Sequence, residues 1–221
     1  MKERYVLTDI MGTTTPTSFL KTLMMDFIQN GSEYLTSATP EAIKLIDSIK
    51  EEQELTTGKQ AIEYVANQLM KRNLRTDFLE LIGFVNVEGY QTGRLSGEVF
   101  NDVPVAFQNW KDNGKGIFIY SNGSAESQKE LYQSSNKGDL TGLINGYFDT
   151  NIVGDKSKKD SYLIIADKVQ EAPKRILFIS DVLPELDAAD SAGYNVKLVV
   201  RPGNKSVTEN DYKIVTSFTE L

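Results

Sequence analysis

The chain opens on a run of apolar, β-favouring residues and then changes its periodicity. Residues 5–8 predict a buried strand, and the polar, glycine-containing stretch 9–16 predicts a tight loop at the end of that strand. From position 19, large apolar residues recur every four positions, which predicts a helix that ends at Gly31. Open α/β sheets build ligand sites at the carboxyl ends of their strands, so the loop 9–16 is a first candidate for chemistry.

Helical patterns continue after this first helix. Thr39 followed by Pro40 is typical of a helix start, because a hydroxyl can cap the helix and proline suits its first position. Apolar residues spaced at i, i+3, i+4, i+7 and i+8 over 62–70 define one face of another helix, and residues 74–89 predict a further one. No clear strand pattern occurs between about 18 and 98. We therefore predict a helical cap, residues 17–100, inserted after the first strand.

Strand and helix patterns alternate in the second half of the chain. The predicted strands after the cap are 117–120, 147–148, 175–179 and 196–200. Such alternation predicts an α/β fold, in which a parallel sheet has helices on both faces. The sequence thus predicts a Rossmann-like core, residues 1–16 and 101–221, that carries the helical cap.

Composition and charge exclude several kinds of catalytic site and of binding partner. Cysteine and histidine are absent from the 221 residues, which excludes disulfides, thiol nucleophiles, His-based triads and the usual zinc sites. A net charge of −7 and a pI of about 4.8 argue against a nucleic-acid partner. No apolar run reaches the roughly 18 residues of a membrane span, and the N-terminal residues do not resemble a signal region. We expect a cytoplasmic monomer that binds a small molecule and neither membrane nor nucleic acid.

Polar residues follow four of the predicted strands or their loops: Asp9, Ser121, Lys156 and Asp181. Parallel strands bring their carboxyl ends to one edge of a sheet, so these side chains can converge. Asp9 and Asp181 can hold Mg²⁺ through their oxygens, and Ser121 with the amides near Gly123 can hold phosphate. Lys156 can neutralise charge, and Asp9 can attack phosphorus to form an aspartyl-phosphate. The set predicts phosphoryl chemistry.

In their order and spacing these motifs resemble the haloacid dehalogenase superfamily. The match is closer to its enolase-phosphatases of methionine salvage, in the following stretches: Asp9-Ile10-x-Gly12-Thr13-Thr14-Thr15-Pro16-x-Ser18-Phe19, Gly89-Tyr90-x-x-Gly93-x-Leu95, Asp102-Val103-Pro104, Tyr120-Ser121-x-Gly123-Ser124, Phe148-Asp149-Thr150, Asp181-Val182-x-x-Glu185, Val199-Val200-Arg201-Pro202-Gly203-Asn204 and Thr216-Ser217-Phe218. The resemblance extends over nearly the whole chain.

The resemblance implies a capped Rossmann-like hydrolase that uses Mg²⁺ on 2,3-diketo-5-methylthiopentyl-1-phosphate, by enolisation and then dephosphorylation. It implies that Asp9 is the nucleophile and a metal ligand, with Lys156 as the second catalytic residue. The backbone carbonyl of Met11 and the side chain of Asp181 are the further implied metal ligands, and Glu185 is a supporting carboxylate. The implied phosphate-binding residues are Thr13, Ser121, Asn122 and Gly123.

Met11 departs from the pattern. The enolase-phosphatases have Glu at this position and most phosphatases of the superfamily have Asp, and that carboxyl protonates the leaving oxygen and then activates water. Loss of a general acid–base costs about 10²–10⁴-fold. The sequence therefore leaves two hypotheses open. One is a working phosphatase, either slow or acting on a substrate whose leaving group needs no acid. The other is an impaired relative that binds a phosphate ester without efficient turnover.

Three other observations bear on the site. A metal-independent dehalogenase is disfavoured, because such relatives lack the acidic metal ligand that Asp181 supplies here. Asp155 stands where the enolase-phosphatases have His, and we interpret it as a surface residue. Arg201 follows the last predicted strand, where arginine is typical of a surface position, although it could reach a substrate.

Overall fold

The fold contains one parallel sheet. A computed structural model describes residues 3–71, 73, 75–204 and 211–221. In chain order the strands are β1 (Tyr5–Thr8), β2 (Gly116–Ser121), β3 (Gly146–Asp149), β4 (Ile176–Ser180), β5 (Asn195–Val199) and β6 (Ile214–Val215). They lie in the order β3-β2-β1-β4-β5-β6, and every neighbouring pair is parallel. The predicted α/β class with a parallel sheet is confirmed, whereas the two-residue edge strand β6 was not predicted.

Nine α-helices are found among the described residues. In chain order they are α1 (Phe19–Tyr34), α2 (Pro40–Glu52), α3 (Gly58–Met70), α4 (Thr76–Gln91), α5 (Asp102–Asp112), α6 (Ala125–Gln133), α7 (Thr150–Val153), α8 (Lys159–Lys168) and α9 (Leu183–Ser191). Side-chain caps fix several of the predicted starts, since Thr39 accepts from the Ala42 N–H and Ser124 accepts from the Ser127 N–H. The predicted start of a helix at Leu74 lies outside the described residues.

The helix end predicted at Gly31 is wrong. Helix α1 continues to Tyr34, and Gly31 packs against α3, where an added Cβ would lie 3.0 Å from Ile62 Cγ2. The glycine allows two helices to approach closely and does not end the first one. A local pattern cannot distinguish these two uses of glycine within a helix.

The chain divides into two compact units. One unit contains the residues up to Phe19 and from Gly97 onward, and the other is Leu20–Ser96. The first unit holds the whole sheet, and the second, the helical unit, contains most of α1 together with α2, α3 and α4. The predicted division at residues 16/17 and 100/101 lies a few residues from these boundaries, and its assignment of the two units as catalytic core and cap stays a prediction.

The burial of β1 and β4 in the core of the sheet explains why the sequence predicts these strands clearly. Every residue of β4 is buried, as are Val6, Leu7 and Thr8 of β1, because these are the central strands of the sheet. Strands buried on both faces show continuous apolar runs without alternation. The helices α8 and α9 contribute Tyr162, Ile165 and other apolar side chains to the same core. The central strands therefore give a fixed base for the loops at their carboxyl ends.

The helical unit has its own core and its own buried charge. Phe27, Ile62, Val65 and Phe78 are all buried within it. Asp26, itself buried, accepts from Arg94 Nε at 2.7 Å. In the part of the chain that the structure describes, no helix is both long and apolar enough to cross a membrane.

Candidate active site

The site residues begin where the central strands end. Asp9 follows β1, Ser121 is the last residue of β2, and Asp181 follows β4. Strand β1 lies between β2 and β4, and the Asp9 N–H donates to the Ile179 carbonyl at 3.0 Å, which extends the sheet pairing to this position. The strand order reverses direction at β1, so this edge is the switch point at which α/β sheets bind ligands.

The loop after β1 is held together by its own backbone. The N–H groups of Thr13, Thr14 and Thr15 all donate to the Ile10 carbonyl, at 3.1, 2.9 and 2.9 Å. The Gly12 N–H donates to the Thr15 carbonyl at 2.7 Å. The loop is therefore a closed turn, and it projects its side chains from a fixed backbone.

Only glycine fits at the tip of this loop. Gly12 has φ +85°, and a Cβ at this position would lie 2.2 Å from Asp181 Oδ2. Both the backbone conformation and the close approach exclude a side chain. The loop after β1 and the carboxylate after β4 are thus packed directly against one another.

Three buried charged groups form the centre of the site. The Lys156 ammonium contacts Asp9 Oδ1 directly and lies 2.9 Å from Glu185 Oε2. The exposed fractions of Lys156, Asp9 and Glu185 are 4, 5 and 8%. Ser180 Oγ donates to the same oxygen of Glu185 at 2.8 Å. The predicted catalytic pair, Asp9 and Lys156, and the predicted supporting residue Glu185 are therefore in one cluster.

Burial and charge act against one another on these groups. Burial opposes the charge of Lys156, but the carboxylates of Asp9 and Glu185 outweigh it and raise the pKa of Lys156 above its ordinary value. Burial raises the pKa of Glu185 to about 7, against the attraction of Lys156 and in the same direction as the repulsion from Asp9. The carboxylates thus favour the charged form of the lysine, whereas burial disfavours the charge of Glu185.

Two tyrosines fix the position of Lys156. The Tyr162 hydroxyl donates to the Lys156 carbonyl at 2.8 Å, and the ammonium lies 5.6 Å from the centre of the Tyr120 ring. The residue before it, Asp155, is exposed and accepts from the Ser157 N–H at 2.6 Å. The interpretation of Asp155 as a surface residue therefore agrees with the structure, since its side chain closes a turn.

Asp181 is held by the loop after β1. Thr13 Oγ1 donates to Asp181 Oδ1 at 3.3 Å. Burial and the negative charge of Asp9 raise the pKa of Asp181 to about 6. The carboxylate is therefore held in place but insufficiently compensated by positive charge.

The donor set of this cluster fits a hard divalent cation. Asp9, Asp181 and Glu185 bring three carboxylates against the ammonium of Lys156, and these four described groups sum to a formal charge of minus two. No group of three or more His, Cys, Asp or Glu side chains within the described ranges is arranged to hold a metal alone. Mg²⁺ does not need one, because it usually takes one or two carboxylates and completes its shell with water and substrate phosphate.

The predicted phosphate-binding residues lie on two segments. Thr13 belongs to the loop after β1, and Ser121, Asn122 and Gly123 end β2 and lead to α6. Around Gly123 there is open space on the side where a Cβ would stand, so a ligand can approach its backbone. Buried Gln128 donates to the Gly123 carbonyl at 2.8 Å and fixes this turn.

A buried carboxylate supports the same turn from β3. Asp149 accepts from the Ala125 N–H at 2.9 Å and from the Ile152 N–H at 2.9 Å. It thus caps both α6 and α7. Asp149 lies in the stretch Phe148-Asp149-Thr150 that resembles the family, and the structure explains it as a helix cap.

The residues after β5 contain two side chains that the sequence did not assign to the site. Arg201 Nε donates to the Thr13 carbonyl at 3.1 Å, and Asn204 Nδ2 donates to the Gly12 carbonyl at 2.8 Å. The expectation that Arg201 lies on the surface is wrong, because it is only 5% exposed and pairs with Asp102 at 2.8 Å. Two signals were available: both residues lie in the stretch 199–204 that resembles the family, and both follow a strand at the same edge as the other motifs.

Comparisons with known proteins agree with this geometry. Residues 4–193 match the model of the haloacid dehalogenase-like hydrolases. Among curated proteins, the enolase-phosphatase E1 of Sulfurihydrogenibium sp. (strain YO3AOP1) is 40% identical, over 98% of this chain and 96% of the relative. The enolase-phosphatase E1 of Danio rerio is 35% identical, over 99% of this chain and 94% of the relative.

Solved structures give the same result. The UTR4 protein of Saccharomyces cerevisiae superposes with a TM-score of 0.79 at 29% identity, over the full length of both chains. The CbbY protein of Rhodobacter sphaeroides superposes with a TM-score of 0.64 at 17% identity, over 99% of this chain and 96% of that one, and this likeness concerns the fold alone.

These matches confirm the superfamily, the fold and the type of enzyme that the sequence predicts. Phosphatases of this group generally use Mg²⁺. The predictions of a monomer and of no nucleic-acid partner stay predictions, as do the roles of the individual site residues. The chain belongs to the haloacid dehalogenase-like hydrolases and, within them, to the phosphatases of the enolase-phosphatase family.

Proposed function

We propose that this chain is a Mg²⁺-dependent phosphatase that hydrolyses 2,3-diketo-5-methylthiopentyl-1-phosphate, the substrate that its resemblance to the enolase-phosphatases of methionine salvage implies. The observation that carries the proposal is the buried contact of the Asp9 carboxylate with the Lys156 ammonium. A carboxylate held in this way has one oxygen fixed in direction, as an oriented nucleophile must have.

Asp9 is the nucleophile in this proposal. Its carboxylate oxygen attacks phosphorus, a bond forms between Asp9 and the phosphoryl group, and the bond between phosphorus and the ester oxygen breaks. Lys156 stabilises the negative charge that spreads over the phosphoryl oxygens. The departing alkoxide takes a proton from water. A water molecule then attacks the phosphorus of the aspartyl-phosphate, which releases phosphate and a proton and restores the carboxylate.

Asp9, Asp181 and the backbone carbonyl of Met11 would hold the metal. When bound, Mg²⁺ supplies positive charge that offsets the excess of buried carboxylate and the charge of the phosphate. Thr13, Ser121, Asn122 and Gly123 would bind the phosphoryl oxygens through hydroxyl, amide and backbone N–H groups. Glu185 would orient Lys156, because its Oε2 lies 2.9 Å from the ammonium and both side chains are buried.

A second candidate function rests on Met11. Its thioether offers no proton to the leaving oxygen and cannot activate water, so both proton transfers depend on solvent. The second candidate is a protein that binds the phosphate ester through the same residues but releases phosphate slowly. The two candidates share the site and differ in rate.

The first experiment measures phosphate release from the diketo phosphate with and without Mg²⁺, with Asp9→Asn as the matched blank. The proposed function predicts turnover of about 1 s⁻¹ or more that requires Mg²⁺ and disappears in the variant. Release no faster than that of Asp9→Asn, at saturating substrate, would reject the phosphatase and leave the binding protein.

The second experiment restores the missing carboxyl. If proton transfer limits the rate, Met11→Glu raises kcat by about 10²-fold or more, whereas Met11→Gln, which has the same size but no acid, does not. Equal rates for Met11→Glu and the wild type would show that the missing acid does not limit turnover.

A further inference from the structure

We infer that the turn 201–204 after β5 is a positioning element for the loop after β1, and that Arg201 and Asn204 set the orientation of Asp181 through it. The inference rests on the proposed function, because it assigns a role to residues that hold the proposed site. Neither side chain needs to touch substrate or metal for this role.

Three hydrogen bonds join the turn 201–204 to the loop after β1. Asn204 Nδ2 donates to the Gly12 carbonyl at 2.8 Å, and Arg201 Nε donates to the Thr13 carbonyl at 3.1 Å. In the opposite direction, Thr17 Oγ1 donates to the Gly203 carbonyl at 3.2 Å. The two carbonyls belong to consecutive peptide groups, so the contacts fix a continuous piece of backbone.

Each of these peptide groups is held on both of its sides. The peptide between Gly12 and Thr13 donates its N–H to the Ile10 carbonyl within the loop and accepts from Asn204 across the loop. The next peptide donates its N–H to the same Ile10 carbonyl and accepts from Arg201. Bonds on opposite sides of a peptide remove its freedom to rotate. The loop by itself supplies only the hydrogen bonds of the two N–H groups, and the turn supplies those of the two carbonyls.

The fixed peptides aim two groups at Asp181. The Thr13 hydroxyl donates to one of its oxygens at 3.3 Å, and the Gly12 Cα stands so close that no Cβ would fit. A rotation of either peptide would move the donor or create a clash with the carboxylate. Partners of this kind, which orient a metal ligand without binding the metal, typically change metal affinity or activity by 10–100-fold when removed.

The turn itself is anchored firmly enough to act in this way. The Arg201 guanidinium lies over the rings of Phe100 and Phe218, 4.7 and 4.8 Å from their centres. It also pairs with Asp102 at 2.8 Å and donates to the Thr216 carbonyl at 3.0 Å. Arg201 is therefore held by several contacts, and its hydrogen bond to the Thr13 carbonyl links the loop to them.

The test compares two asparagines at opposite ends of β5. Asn204→Ala removes the donor to the Gly12 carbonyl. Asn195→Ala is the matched control, because Asn195 also donates from Nδ2 to a backbone carbonyl, that of Lys174 at 3.0 Å, but does so at the other end of the strand. Both variants delete one side-chain amide from the same unit.

The first readout is amide hydrogen exchange by NMR in the metal-free protein. We expect the Thr13 and Thr14 amides to exchange about tenfold faster in Asn204→Ala, the change that loss of one hydrogen bond brings to a local opening. The second readout is Mg²⁺ binding by calorimetry, which we expect to weaken by about 10–100-fold. Asn195→Ala should change neither.

Arg201→Lys is the second variant, since it keeps a cation opposite Asp102 while it loses the planar donor to the Thr13 carbonyl. It should reproduce both effects. Unchanged exchange at Thr13 and Thr14 in both variants, or Mg²⁺ affinity equal to that of Asn195→Ala, would overturn the positioning role. Because neither readout uses turnover, a wild type that binds Mg²⁺ but releases no phosphate would reject the proposed function alone.

Discussion

Two clusters of charge in the sheet-containing unit differ in their balance. In one, the Lys156 ammonium faces the carboxylates of Asp9 and Glu185, and Asp9 in turn repels Asp181. In the other, the Arg201 guanidinium pairs with the carboxylate of Asp102. The first cluster has an excess of negative charge and the second is neutral.

The pKa shifts record this difference. In the first cluster burial and mutual repulsion raise the pKa of Asp181 to about 6 and that of Glu185 to about 7. Burial also acts to raise the pKa of Asp102, but hydrogen bonds from the Phe218 N–H and from Arg201 lower it below its usual range. A buried ion pair that satisfies itself serves the fold, whereas one that leaves carboxylates uncompensated is prepared for a cation or a reaction.

We expect the largest effect, a loss of catalytic efficiency, when the cation of the first cluster is removed. We expect Lys156→Met to lower kcat/KM by about 10²–10³-fold, the usual loss when one group that stabilises transition-state charge is deleted. Lys158→Met is the control, because Lys158 is an exposed lysine of the same loop. Steady-state phosphate release measures both, and equal losses in the two variants would mean that the buried lysine has no special role.

Loss of the carboxylate from the second cluster should instead affect stability. Asp102→Asn leaves the Arg201 guanidinium buried without a counter-charge, and we expect the free energy of unfolding to fall by about 3 kcal/mol at pH 7. Urea unfolding is the measurement. Asp112→Asn, at the exposed end of the same helix, should change it by less than about 0.5 kcal/mol. A similar value for both variants would contradict the difference between the clusters.

Mg²⁺ should stabilise the protein through the first cluster. At a free concentration one hundred times its Kd, a ligand that binds only the folded state adds about 2.7 kcal/mol to the free energy of unfolding. We expect this gain in the wild type and in Asp102→Asn, and its loss in Asp181→Asn. Thermal unfolding at matched ionic strength, with Na⁺ replacing Mg²⁺ in the reference, measures it. A full gain in Asp181→Asn would remove Asp181 from the proposed ligands.

The smallest expected effect is the pH dependence of the second cluster. Since the folded-state pKa of Asp102 is lowered, its ionised form stabilises the fold above the unfolded-state pKa of about 3.9. That stabilisation is lost as the pH falls through the lower, folded-state value. The stability difference between wild type and Asp102→Asn should therefore be constant from pH 7 to 5 and shrink below about pH 4. A difference that grows on acidification would reverse the assigned sign.

The local pattern of apolar and capping residues was sufficient to predict most of the strands and helices. Apolar runs predicted β1 and β4 because central parallel strands are buried on both faces, and Thr39 and Ser124 marked helix starts because they cap those helices. The pattern failed at Gly31, where close packing of two helices requires a glycine inside a helix. It also missed β6, whose two residues are too few to show a period.

The chemical groups of the site can be identified from the sequence alone: a carboxylate after the first strand, a lysine and further carboxylates after later strands, and a methionine where the family has an acid. The balance of charge among these groups depends on how the chain folds. Whether Arg201 lies on the surface or supports the loop depends on Asp102, Phe218 and the Thr13 carbonyl, which are far from it in the chain. Burial and charge compensation are properties of neighbours in space, and a linear pattern records neighbours in sequence.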